Sequence, residues 1–275
     1  MNKPLETPHV FPRARQPLQT VVKALATLRL FTLEREWLGV REIARLLDIN
    51  TATVHNLLRT LMDTGLVEQH LETKKYRLGL GLVRLAGTKL AQLDVVTASA
   101  GPMKELLNKT GETISLAVLY GDELVYLARM ESLQPVRVTS RIGGSAPIHA
   151  SAHGKSLLAF LDDGSIDRLL KPPLLSYTAA TVTDVSKLRT ELKQIRDQDY
   201  AVDHGAYLPD VHAVASPIRD SSGHVIASLA IVALASRFPA AKVKAYAKLV
   251  KDAAGRISSA LGYRYVAPNL HLAKI

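Results

Sequence analysis

Residues 40–77 read VREIARLLDINTATVHNLLRTLMDTGLVEQHLETKKYR, and their apolar side chains keep first a helical and then a strand-like period. From Arg41 to Leu47, the side chains of Ile43, Leu46 and Leu47 gather on one side of a short helix. Asp48, Ile49 and Asn50 interrupt it, and Asn50 or Thr51 is placed to cap a second helix by accepting a backbone N–H bond in its first turn. That helix runs to about Met62. Val54, Leu57, Leu58 and Leu61 follow the i, i+3, i+4, i+7 rule, which leaves Ala52, His55, Asn56 and Arg59 on the outward face. Ala44 is small enough for the two helices to approach closely, and Gly65 ends the second. Two β-type runs, Leu66 to His70 and Tyr76 to Leu78, then flank Glu72, Thr73, Lys74 and Lys75, the pattern of a hairpin with a basic tip. The order is that of a winged helix-turn-helix, which implies duplex DNA as a partner. Asn56 has the donor and acceptor geometry for adenine, and Arg59 for a guanine edge or a phosphate. Thr51, Thr53 and His55 suit contacts that position the helix on the backbone, Arg41 a phosphate, and Lys74 and Lys75 the backbone beside the groove.

Charge points the same way. The chain has 275 residues and a net charge of +10, and residues 1–90 contain 14 Lys and Arg against 8 Asp and Glu, a bias that favours a polyanion at the N-terminal end. The length predicts two domains, each able to bury a core. With no cysteine there is no disulfide, thiolate metal site or cysteine nucleophile, which fits a reducing cytoplasm. Met1 to Gln16 has no apolar core of signal-peptide length and no later run reaches membrane-spanning length, so a cytoplasmic protein with no membrane partner is expected.

Outward from the helix-turn-helix, residues 1–17 read as a flexible tail in which Arg13 and Arg15 resemble a basic arm. Leu18 to Leu33 reads as an amphipathic helix burying Val21, Leu25 and Leu28, with Trp37 plugging the small core. After the wing, Leu80 to Val96 reads as a helix whose stripe of Leu82, Leu85, Ala86, Leu90 and Leu93 calls for cover by a second subunit or a neighbouring domain. Ala100, Gly101 and Pro102 are expected to break it, with another helix ending before Gly111. Strands are predicted over Thr113–Tyr120, Glu123–Met130, Pro135–Ser140, Tyr200–Asp203, Val211–Ile218 and Val225–Ala233. Helices are predicted over Gly154–Leu161, from a cap at Asp184 to Asp199, and from Pro239 to about Leu261. The fold class is α+β with a mainly antiparallel sheet.

These stretches carry a resemblance. Glu42-Ile43-Ala44, Thr53-Val54-His55, Leu66-Val67-Glu68, Tyr76-Arg77-Leu78-Gly79, Gly111-Glu112-Thr113, Pro147 to Ala152 with Gly154-Lys155, Thr181 to Asp184, Tyr200 to Asp203 and Ala215 to Asp220 occur in the order seen in the IclR family of bacterial transcriptional regulators, which the chain resembles from Val21 to Leu261. The resemblance implies a winged-helix head over residues 18–80, a linker helix over 81–100 and a GAF-like effector-binding domain over 101–266. It also implies a homodimer, often a dimer of dimers, that binds an operator, responds to a small organic acid and controls a catabolic operon. Where the family often has Lys and Arg in the recognition helix, Thr51 and Asn56 stand here, and Arg41 replaces a usual Ser or Thr cap.

In the second domain Ser151, His149, His153, Asp203 and His212 invite a serine-hydrolase reading, and the same histidines with Asp203 a metal site. No Gly-x-Ser-x-Gly elbow, phosphate loop or paired-carboxylate signature accompanies them, and His149 precedes the helix, so no catalytic residue, metal ligand or cofactor is assigned. A pure interaction module is the third reading. For the sensor, the resemblance supplies the pocket. In a relative that binds a small, very polar acid, the positions matching Ala213, Ala230 and Val232 are a cysteine and two serines. Here they are apolar, and Val138, Ala146, Ala152 and Val211 match further wall positions, leaving an almost wholly aliphatic wall with Asp203 as its polar feature. Such a wall suits an aromatic or largely apolar acid. Its carboxylate is expected at backbone N–H groups near His149, Ala150, Ser151, Ala152, His153 and Gly154.

Overall fold

The computed structural model describes residues 17–138 and 141–264, so Arg13, Arg15 and the 1–16 part of the tail lie outside the described residues. The chain divides into two compact units, Met1–Lys89 and Leu90–Ile275. In the first, α1 (Gln19–Arg29), α2 (Val40–Leu47) and α3 (Thr51–Asp63) precede a hairpin of β1 (Val67–Gln69) and β2 (Tyr76–Leu78), and α4 (Leu80–Ala91) follows. Ile43, Ala44, Val54, Leu58, Leu61, Val67 and Tyr76 form one core with Phe31 and Leu38. Two expectations need correction. Val21 and Leu25 are exposed, and α1 buries Thr27, whose hydroxyl bonds back to the Lys23 carbonyl and so removes its desolvation cost. The core is plugged by Leu38, bridged to Tyr76, whereas Trp37 stays half-buried with its ring edge-on to His70.

Gly65 has φ +72° and turns the chain out of α3. A Cβ on Gly79 would come 2.4 Å from the Gly65 carbonyl oxygen, and one on Gly81 2.6 Å, so three glycines let the end of the wing and the start of α4 lie against the end of α3.

In the second unit α5 (Asp94–Thr110) begins after an interruption at Gln92 and Leu93, which corrects the expectation of one helix over Leu80–Val96 and of a continuous linker helix over 81–100. It runs through Ala100, Gly101 and Pro102, against the expectation that they stop it. A proline inside a helix removes one backbone bond, but the buried row Val95, Ser99, Met103 and Leu106 continues across it and anchors both halves. A six-stranded antiparallel sheet follows, made of β3 (Thr113–Tyr120), β4 (Glu123–Met130), β5 (Ser145–Ala146), β6 (Ala201–His204), β7 (Val211–Arg219) and β8 (Val225–Leu234), in the order β5-β4-β3-β8-β7-β6. The expected strand from Pro135 does not form over 135–138, and the edge is β5 instead, paired with Leu124 and Val125. Ile148 to Ala150 form a turn, and α6 spans Ala152–Leu158, with α7 (Asp163–Leu169) and α8 (Val185–Gln198) after it and α9 (Ala240–Ala260) closing the chain.

The strands' period of two sorts their side chains between two layers. Ile114, Leu116, Val214, Ile218, Leu229 and Ile231 pack with α5 and α9. Ala117 and Leu124 pack with α6, α7 and α8 on the other side. Among the described residues no helix is long and apolar enough to cross a membrane.

Candidate nucleic-acid interface and ligand site

Asn50 caps α3 by accepting the Thr53 N–H at 2.7 Å, and Asp48, with φ +51°, makes the turn out of α2. The cap fixes the rotation at which α3 enters its turn, and burial of Val54, Leu57, Leu58 and Leu61 fixes which face looks out. That outward face presents Thr51, Ala52, His55, Asn56 and Arg59 to solvent, with Thr53 half-buried beside them. The side chains of His55, Asn56 and Arg59 make no hydrogen bond within the described residues. Uncommitted donors on an exposed helix are what base-edge readout requires. Arg41 is exposed on α2, and Lys74 and Lys75 are exposed at the hairpin tip, where Lys74 has φ +56° and the His70 ring accepts the N–H groups of Glu72 and Thr73. At the root of the hairpin the Arg77 guanidinium lies 4.6 Å from the Trp37 ring centroid and is paired with Glu68 and Glu36. Trp37 and Arg77 thus support the wing, a role the sequence reading missed.

In the second unit the register builds the other site. Thr113 pairs with Val232, Val232 with Ala213, and Ala213 with Asp203, so one row crosses four strands on the face toward α6. The next row is Ser115, Ala230, Ala215 and Ala201. Ala152 closes over these rows, giving a cluster of Ala152, Ala213, Ala215 and Ala230 with Val232 packed on it. Val138 enters through its carbonyl, which accepts the Thr113 hydroxyl at 3.2 Å, and Val211 is half-buried, two residues before Ala213 on β7. Ala146 and His149 fall apart from this patch. Ala146 lines a separate 290 Å³ cavity with Pro147, Ile148, Tyr177 and Tyr207, while His149 bonds the Leu175 carbonyl at 2.9 Å beside the Tyr177 ring.

The wall is less aliphatic than expected. His153 is buried, 2.8 Å from the Ser115 hydroxyl and 3.0 Å from that of Ser228, and burial pushes its pKa down to about 3. The ring is therefore neutral, one nitrogen donating and the other accepting. The Tyr126 ring stands edge-on to it, its hydroxyl pushed up to about 12 by burial and then by Tyr207 and Asp203. Burial raises the Asp203 carboxyl to about 6 against the Ala206 N–H, which bonds it at 2.6 Å, and the nearby Lys155 charge. Lys155 is itself buried and reaches Glu191 and the Val202 carbonyl, each at 2.6 Å. Tyr126 and Ala215 escape a reading of the sequence because only strand pairing reveals them, and Tyr207 because it comes near Tyr126 through the loop after β6.

The expected anion cradle is partly occupied: the Gly154 N–H bonds the Ser151 hydroxyl, and the Ser151 N–H and hydroxyl both bond the Pro147 carbonyl. A Cβ on Gly154 would lie 2.1 Å from the Ile148 oxygen, which accounts for the glycine. Ser151 thus caps α6, and His212 bonds the Phe238 carbonyl at 2.9 Å, so neither enters a serine–histidine–aspartate relay.

Residues 87–259 match the family model for the bacterial transcriptional regulator IclR C-terminal domain, and residues 20–71 match the IclR helix-turn-helix domain. The HTH-type transcriptional regulator XynR of Escherichia coli (strain K12) is 34% identical over 247 residues, covering 90% of this chain and 98% of that protein. KdgR of the same organism, also named a transcriptional regulator, is 32% identical over 254 residues, with 90% and 95% covered. The crystal structure of an IclR homolog from Microbacterium hydrocarbonoxydans, complexed with 4-hydroxybenzoate, superposes with a TM-score of 0.79 at 27% identity, covering 88% of this chain and 98% of that one. With the exposed α3 face in one unit and the alanine-walled patch in the other, this chain belongs to the IclR family of DNA-binding transcriptional regulators.

Proposed function

We propose that this regulator binds a pseudo-palindromic operator as a dimer or dimer of dimers in the cytoplasm, and that an aromatic or largely apolar organic acid sets its operator affinity and so controls a catabolic operon. The observation that carries the effector class is the patch of Ala152, Ala213, Ala215 and Ala230, facing Val232 and in register with Asp203. A wall made mostly of alanine and valine, with the His153 ring already bonded to Ser115 and Ser228, leaves a small dicarboxylate poorly compensated for its lost hydration, whereas an aromatic ring loses little there and the Tyr126 hydroxyl can serve a single polar group. The relative crystallised with 4-hydroxybenzoate supports this class. Calorimetry of the full chain with 4-hydroxybenzoate, benzoate, glyoxylate and pyruvate tests it. The aromatic acids bind more tightly, and Ala213→Leu, which fills the patch, weakens them. Tighter binding of the two small acids, unaffected by Ala213→Leu, overturns the reading.

A further inference from the structure

On the face of the sheet away from the alanine patch, two adjoining hollows follow α9. One, of 610 Å³, lies between the end of α8, β7 and α9 and is lined by Arg196, Asp199, Ser216, Arg219, Gly255 and Tyr263 among others. The second, of 440 Å³, is lined by Tyr200, Lys244, Ala247 and Lys248, and shares Lys251 and Asp252 with the first. Lys244, Lys248, Lys251 and Gly255 recur at helical spacing, so they share one face of α9. We infer that this trough docks an extended, acidic polypeptide segment of a partner protein.

Length separates a peptide from a small metabolite. At a helix's rise of ~1.5 Å per residue, Lys244 to Ser259 spans about 22 Å, which about seven extended residues cover at ~3.3 Å each. Charge sets the polarity of the segment. At the Tyr200 end three lysines face one acid, Asp252, and Lys244 and Lys248 are exposed, with no acid paired to either among the described residues. At the other end Arg219 is fixed by Asp199 at 2.7 Å and stacked between Phe160 and Tyr263, so it is a wall already neutralised. Acidic side chains therefore belong over the lysines and small or apolar ones over Gly255.

Gly255 leaves the floor of the trough without a side chain. Glycine inside an exposed helix costs about 1 kcal/mol relative to alanine, and a Cβ there would meet nothing within 4 Å, so no neighbour in this chain requires it. A larger side chain at this position would project into the trough. Residues 265–275 have no acidic side chain and residues 1–16 only Glu6, so neither of these stretches is itself an acidic segment.

The test is fluorescence anisotropy of the full chain with a labelled peptide of about eight residues, glutamate over its first half and serine and leucine over its second. Expected is saturable binding, weakened at least about tenfold by Lys244→Glu with Lys248→Glu, and weakened as much by Gly255→Leu, which leaves the charge unchanged and raises the melting temperature. The same peptide with lysine for glutamate should prefer the double variant. Equal binding of acidic and basic peptides, undiminished binding by Gly255→Leu, or displacement of the peptide by pyrophosphate at equal concentration overturns the proposal.

Discussion

Asn56 and Arg59 project from the same exposed face of α3 with unused donors, while Lys74 and Lys75 sit at the hairpin tip, and the two pairs should fail differently. Asn56→Ala with Arg59→Ala removes discrimination between operator and random duplex, at about 1–3 kcal/mol for each base-edge interaction abolished. Lys74→Ala with Lys75→Ala weakens both duplexes alike and lowers the salt slope by about one unit for each phosphate released. Competition binding at several salt concentrations distinguishes them. Two buried titratable groups give a second prediction. His153, near 3 when folded and 6.5 as its ordinary value, favours the native state above pH 6.5, and this support is lost as pH falls toward 3. Asp203, raised from 3.8 to about 6, works in the opposite sense, since the native state loses stability as pH rises through that interval. The slopes offset one another between about pH 4 and 6. Asp203→Asn, which can still accept the Ala206 N–H, leaves the histidine slope alone. Its melting temperature should fall more steeply than that of the parent between neutral pH and about 4.5, and a parallel fall would refute the assignment.

At the scale of elements, α2, α3, the wing strands, α8 and α9 are legible because local signals agree with burial: periodic leucines, the Asn50 and Asp184 caps, and the basic turn. Elsewhere local signals compete with packing. Pro102 reads as a stop, yet its helix continues because the buried row outweighs one missing backbone bond. Val21 and Leu25 read as core, yet the residue that α1 buries is Thr27, because its direction relative to α2 and α3 is not written in its own period. The alanine patch joins residues far apart in sequence, so its wall positions are legible only through likeness to relatives, while Tyr126 needs the strand register and Tyr207 the path of the loop after β6. The junction of Gly65, Gly79 and Gly81 is invisible in sequence for the same reason. Gly79→Ala should destabilise the head by about 1–3 kcal/mol, since the added methyl meets backbone that cannot move aside. Differential melting of the isolated residue 17–89 segment and of the full chain, with and without the substitution, checks whether the destabilisation is confined to the head.

At the scale of the molecule, α4 buries no residue, and Leu80, Val83 and Leu85 are each more than 60% exposed. An apolar surface of this kind is atypical of a soluble monomer. Sedimentation at micromolar concentration should therefore show a dimer or larger species, and Leu82→Glu with Leu85→Glu should shift it toward monomer while lowering operator affinity, because two half-sites need two heads. A stable monomer in the parent would refute this. Strand β7 adds a consequence of a spectroscopic kind. It lies between β6 and β8, bonded on both edges, with Ala213 and Ala215 toward the alanine patch and Ser216 toward the α9 trough. Its amide protons are thus a common clock for both faces, since a molecule bound on either side slows the openings that let them exchange. Exchange rates along β7 with acid, with peptide and with both together would measure the coupling of the two sites on a single strand, and by linkage the factor must be the same in either direction.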